Sequence, residues 1–157
     1  MKYFIYISIL FLIKCKEKTD SININDITKV VYTSDKITYN ITGDFYILDR
    51  RFKNPGKHSL KLSSTDLNSI KKQIVNEKIY KLNDSLKYIK SCKNKGCLSE
   101  IIIYYKSGRR QDFTFDNSNY KGNFNNNSYK KLVSIEDTIG KIITRNVSEP
   151  ERLIIDM

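Results

Sequence analysis

Apolar and polar positions alternate over short stretches in the first part of the chain and later switch twice to helical spacing. Thr28 to Thr33 (TKVVYT) and Ile37 to Ile41 (ITYNI) are β-branched and aromatic, separated by Ser34-Asp35. Thr42-Gly43-Asp44 then leads into Phe45 to Phe52 (FYILDRRF), so the pattern predicts a meander of three strands. Asn54-Pro55-Gly56 signals a turn, after which His58 to Leu62 alternates as a fourth strand. Ser63-Ser64-Thr65-Asp66 offers hydroxyls and a carboxylate to free helix amides. The Leu67, Ile70, Ile74, Val75 and Ile79 that follow predict an amphipathic helix, with Lys71, Lys72, Glu77 and Lys78 on its solvated side.

Asn83 to Gly96 has no clear period and reads as an irregular connection. Ser99 to Tyr105 (SEIIIYY) and Arg110 to Phe115 (RQDFTF) flank Lys106-Ser107-Gly108-Arg109 and predict a hairpin, and the unbroken Ile101-Ile102-Ile103 predicts a central strand covered on both faces. Asp116 to Ser128 holds six asparagines and two aromatic residues in a predicted loop. Tyr129 to Arg145 predicts a second helix whose apolar face is Leu132, Val133, Ile135, Ile139, Ile142 and Ile143, blemished by Gly140. From Asn146 the chain reads as a tail, with Leu153-Ile154-Ile155 suited to a short edge strand. The element order predicts an α+β fold, an antiparallel sheet of about six strands with two helices on one face. One domain over residues 27–157 accounts for it.

The N-terminus carries an address. Lys2 precedes an eleven-residue stretch, Tyr3 to Ile13, apolar but for Ser8, too short for the roughly 20 residues that a spanning helix needs but enough for the apolar region of a secretory signal. Leu12-Ile13-Lys14-Cys15 closes the run. This resembles the lipobox of bacterial lipoproteins, in which a leucine three residues before an obligatory cysteine marks the cut and the cysteine receives the lipid. Leu12 and Cys15 match; Lys14 departs from a position that is normally small. Lys16-Glu17-Lys18 is similar to the charged segment after the lipidated cysteine in Bacteroidetes lipoproteins. The resemblance implies a signal peptide at 1–14, lipidated Cys15 with a polar tether at 15–26, and a place in the cell envelope, periplasmic or surface-exposed. Acyl chains contribute roughly 0.8 kcal/mol per buried methylene, so two or more give stable anchoring. The meander, the LSSTDL helix start, the cysteine-bearing loop and the hairpin also resemble small Bacteroidetes lipoproteins of unknown function, and bring no known activity.

Composition adds little to this. The chain has a formal net charge of +11, no tryptophan and no alanine. Isoleucine, lysine and asparagine are spelled by AT-rich codons, so the charge is weak evidence about partners. The three cysteines are an odd number, and a lipidated Cys15 leaves Cys92 and Cys97 as a pair. Their turn-rich spacer and an oxidising compartment favour a local disulfide. A redox pair and half of a metal site are the alternatives, with the spacing wrong for thioredoxin-type centres and His58 the single histidine.

Catalytic signatures are missing. The chain has no G-x-x-x-x-G-K-[ST], G-x-G-x-x-G, G-x-S-x-G or H-E-x-x-H. Asp44, Asp49, Asp112 and Asp116 are the candidate carboxylates for hydrolysis of an envelope polymer, should the fold bring two together in a cleft. Tyr104-Tyr105-Lys106-Ser107-Gly108-Arg109-Arg110 mixes rings and cations, and Tyr105, Lys106, Arg109 and Arg110 are the candidate binding surface for an acidic partner or anionic lipid; an exported protein rarely meets nucleic acid. Asp20-Ser21-Ile22, Asp84-Ser85-Leu86 and Asp137-Thr138-Ile139 are similar to the Bacteroidetes O-glycosylation acceptor. The expectation is a noncatalytic, cofactor-free envelope lipoprotein that binds a protein or glycan partner. An inhibitor or immunity-type lipoprotein and a carboxylate hydrolase are the competing readings.

Overall fold

A computed structural model of the protein describes residues 21–89, 97–116, 121–123 and 125–153. Strands β1 (Ile27–Ser34), β2 (Ile37–Asn40), β3 (Phe45–Leu48) and β4 (Gly56–Ser59) form an antiparallel meander. Between β1 and β2 the turn places Asp35 and Lys36 at φ 48° and 65°. Positive φ at both central residues gives the backbone twist that a two-residue hairpin requires.

Helix α1 (Ser64–Asn76) comes next, then β5 (Ser85–Tyr88), the hairpin strands β6 (Leu98–Tyr105) and β7 (Arg110–Asp116), and helix α2 (Asn127–Asn146). The fold is therefore α+β, with one open sheet in the order β4-β3-β2-β1-β6-β7-β5. All pairings are antiparallel except β5 with β7. Strand β5 is the seventh strand and lies in the stretch that the sequence assigned to an irregular connection. Leu86 and Tyr88 pack against the core while Ser85 and Lys87 are exposed, an alternation four residues long.

Ser63 and Asp66 start α1 as a reciprocal cap. The Asp66 amide donates to Ser63 Oγ at 3.1 Å and the Ser63 amide donates to Asp66 Oδ2 at 3.2 Å, satisfying two donors that the first turn leaves free. Ile70 and Ile74 are fully buried, and each contributes about 2 kcal/mol relative to an exposed side chain. Lys78, at φ 55°, ends this segment in a left-handed residue and turns the chain into Ile79–Lys81.

Both helices serve one face of the sheet. Ile101, Ile103, Phe113 and Phe115 alternate toward that face and are buried, together with Leu132, Ile135 and Ile139 of α2. Tyr32 on β1 donates to Glu136 of α2 at 2.9 Å, and Ser99 on β6 donates to the same carboxylate. Helix α1 joins α2 through Gln73 to Ser134 at 2.8 Å and through the Arg145–Asp66 ion pair. A ladder of rings, Tyr32, Tyr39, Tyr46 and His58, crosses β1 to β4 on the same side with centroids 6.0, 5.7 and 5.2 Å apart.

Two segments outside the predicted domain core are ordered. The stretch assigned to the tether holds a turn at Ile24–Asp26, capped by Asn23, and Ile22 packs against the core. The tail returns beside the loop after β3, where the Lys53 amide donates to Glu151 O at 2.9 Å and the Leu153 amide to Arg51 O at 2.9 Å. Among the described residues no helix is long and apolar enough to cross a membrane.

Candidate functional site

The face of the sheet opposite the helices is covered by no helix among the described residues. The Ile101-Ile102-Ile103 run made double coverage the expectation, and the structure corrects it. Ile101 and Ile103 are buried beneath the helices, whereas Ile102 is half-buried on the open side. Its shelter comes from cross-strand neighbours, since Ile102 lies between Val31 on β1 and Asp112 on β7.

Strand registers arrange this face in rows that run across the sheet. One row is Ser59, Phe45, Asn40, Val31, Ile102, Asp112 and Ser85. Alongside it runs Lys57, Ile47, Thr38, Thr33, Glu100, Thr114 and Lys87. A shorter row, Lys29, Tyr104 and Arg110, closes the end beside the β6–β7 turn. An open antiparallel face normally reads as the polar half of an alternation. Here Val31, Phe45 and Ile102 are half-buried on it, and Ile47 is 43% exposed.

Cations border these apolar positions. Lys57 Nζ sits 4.1 Å from the centroid of the Phe45 ring, and the Tyr104 ring lies between Lys29 Nζ at 5.2 Å and the Arg110 guanidinium at 5.9 Å. Such contacts hold a charge over a ring face without removing it from water. Asp112 pairs with Arg110 at 2.6 Å. Burial, and behind it the negative charge of Asp112, push the Glu100 carboxyl above its ordinary value, with Arg110 pulling the other way. The surface thus combines an apolar strip with mixed charge.

The hairpin residues singled out from the sequence are divided by the structure. Tyr105 points inward, is buried and donates to Gln111 Oε1 at 2.5 Å. Arg109 also turns inward: it donates to Asp84 Oδ1 at 2.6 Å, Tyr80 O at 2.7 Å and Leu82 O at 3.0 Å. Both are therefore corrected from binding candidates to parts of a clamp that fixes the hairpin to the segment after α1: Arg109 bonds that segment directly, and Tyr105 holds Gln111 of β7, whose Nε2 donates to Leu82 O at 2.9 Å. Lys106 and Arg110 remain exposed.

The candidate carboxylates do not converge. Asp44 and Asp49 flank β3, Asp112 and Asp116 lie on β7, and three strands separate β3 from β7, a distance of about 19 Å at ordinary strand spacing. Asp49 is paired with Arg51 at 3.0 Å, and that hydrogen bond holds its carboxyl below the ordinary value. His58 stacks on Tyr46, with Nε2 2.8 Å from Asn54 O. Among the described residues no group of three or more His, Cys, Asp or Glu side chains could hold a metal ion. Cys97 stands immediately before β6, while Cys15 and Cys92 lie outside the described residues. Of the glycosylation-like triplets, Asp84-Ser85-Leu86 leads into β5 and Asp137-Thr138-Ile139 lies within α2; Asp20 lies outside the described residues.

Sequence reasoning missed Phe45, Ile47, Lys57 and Lys29. A signal was present: Phe45-Tyr46-Ile47-Leu48 is apolar at both parities, so one of its faces had to meet something other than the helices. No protein-family model, curated protein or solved structure matches this chain.

Proposed function

We propose that the protein is a noncatalytic lipoprotein of the bacterial cell envelope, held through Cys15, whose domain is a binding module for a protein or glycan partner. The observation that carries the binding reading is the open sheet face, with half-buried Val31, Phe45 and Ile102 and exposed Ile47 beside Lys57. Apolar side chains left in water on one contiguous, cation-bordered surface favour an interaction site. The address comes from Leu12 and Cys15 together with the apolar run before them. In the same reading Cys92 and Cys97 form a local disulfide that pins the loop leading into β6. Closing so short a loop is worth roughly 2 kcal/mol in the chain-entropy model, enough to restrain a loop but not to hold the fold.

Site-directed photo-crosslinking in the native envelope tests the role of the face. A crosslinker in place of Ile47 yields a discrete adduct, and one in place of Lys141 on the outer side of α2 does not. Adding Phe45→Asp to the Ile47 probe abolishes the adduct while leaving the thermal melt of the domain in place. Equal adducts from both positions, or none from Ile47, contradict the assignment.

A further inference from the structure

We infer that the end of the open face formed by Lys29, Tyr104 and Arg110, with Lys106 at the adjoining turn, rests on the anionic head groups of the membrane to which the chain is tethered. The inference depends on the Cys15 anchor proposed above and adds to it a fixed orientation of the domain. Its first support is where the chain enters the fold. Ile22 and Asp26 line one depression with Tyr105, Lys106 and Arg109, and the Lys106 amide donates to Asp26 O at 2.8 Å. The tether therefore arrives at the β6–β7 turn, which is the end of the sheet that carries this row.

Chain length supplies the second support. Six Cα-to-Cα steps lead from Cys15 to Ser21. Fully extended they span at most about 22 Å, and any slack brings the domain nearer the lipid. A surface held that close samples the negative potential of anionic head groups, which acts over about 8 Å at physiological salt.

The chemistry of the row is the third. Lys29 lies directly across from Tyr104, and Tyr104 directly across from Arg110, on the neighbouring strands β1, β6 and β7. A half-buried tyrosine between two cations presents an amphipathic ring flanked by phosphate-binding groups, the combination found where proteins meet a bilayer interface. Arg110 keeps its ion pair with Asp112, while Lys29 and Lys106 are exposed and make no ion pair among the described residues. With this end on the membrane, Phe45, Ile47 and Lys57, on β3 and β4 at the far side of the sheet, stay clear of the lipid for a partner.

The chain has no tryptophan, so Tyr104→Trp introduces a single fluorescent reporter. The full protein, extracted from membranes and shown by intact mass to be acylated, is reconstituted into vesicles carrying a head-group nitroxide quencher. One set is phosphatidylcholine alone; the other contains phosphatidylglycerol. Emission from position 104 falls about twofold in the anionic vesicles relative to the neutral ones. It recovers with Lys29→Glu plus Arg110→Glu, and in about 1 M salt, where the screening length shrinks to about 3 Å. An Ile47→Trp reporter stays unquenched in both sets. Ser107→Trp, at the exposed turn, serves if Tyr104→Trp does not fold. Acylated protein with no charge-dependent quenching at 104 or 107 overturns this inference and leaves the anchor standing. Equal quenching at 47 and 104 overturns it as well, because the face would lie flat, and a mass without acyl chains overturns it together with the anchor.

Discussion

Arg109 directs its guanidinium into the protein, toward the carboxylate of Asp84 and the carbonyls of Tyr80 and Leu82. Its neighbour Lys106 extends into water. Arg109→Ala removes the side-chain donor to the Tyr80 carbonyl and the Asp84 carboxylate, while Leu82 O keeps Gln111 Nε2 at 2.9 Å, and costs about 2 kcal/mol, whereas Lys106→Ala stays within about 0.5 kcal/mol of the parent; urea denaturation midpoints of the two variants check this. Tyrosines of the helix-covered face make a second claim at this scale. Burial, with a smaller effect from Tyr46, pushes the Tyr39 phenol up to about 12 from an ordinary 10, and Tyr32 and Tyr105 shift in the same direction. The folded protein thus keeps protons that the unfolded chain gives up first, so the stabilisation is whole below pH 10 and is lost as pH rises from 10 toward 12. Tyr39→Phe flattens part of that decline in denaturation curves taken across this range, and an unchanged slope contradicts it.

Elements differ in how far local pattern determined them. Both helices were legible because a spacing of three and four residues is a local property, and Ser63 with Asp66 marked the start of α1 to within a residue. The β6–β7 hairpin was legible for the same reason. Strand β5 was not, since it pairs in parallel with a strand that begins 22 residues after it ends, and four residues hold too little alternation to declare themselves. Helix α2 carries the clearest test at this scale. A methyl group added at Gly140 meets nothing within 4 Å, and the residue lies in regular helix. Gly140→Ala therefore stabilises the protein by about 0.5–1 kcal/mol, chiefly by restricting the unfolded chain, and raises the melting temperature. A lower melting temperature would mean that this part of α2 is packed against something that the described residues do not include.

At the scale of the whole molecule, the open face is a product of strand order, which no local pattern contains. Val31 and Ile102 become neighbours because β1 pairs with β6, 71 positions apart along the chain, and that pairing also sets Tyr104 beside Lys29. The hairpin cations were visible as residues, but their roles were not: the carbonyls that hold Arg109 lie 27 and 29 positions away and are brought there by the fold. The envelope setting proposed for these surfaces rests on the lipobox-like sequence at Leu12 to Cys15, and it admits one direct measurement, the intact mass of the protein extracted from native membranes, compared with a Cys15→Ser variant. A mature chain that begins at Cys15 and carries the added mass of acyl chains, absent from the Cys15→Ser variant, is the predicted result. An unmodified full-length mass in both proteins would contradict a lipid-anchored module, and the membrane-facing orientation inferred from it.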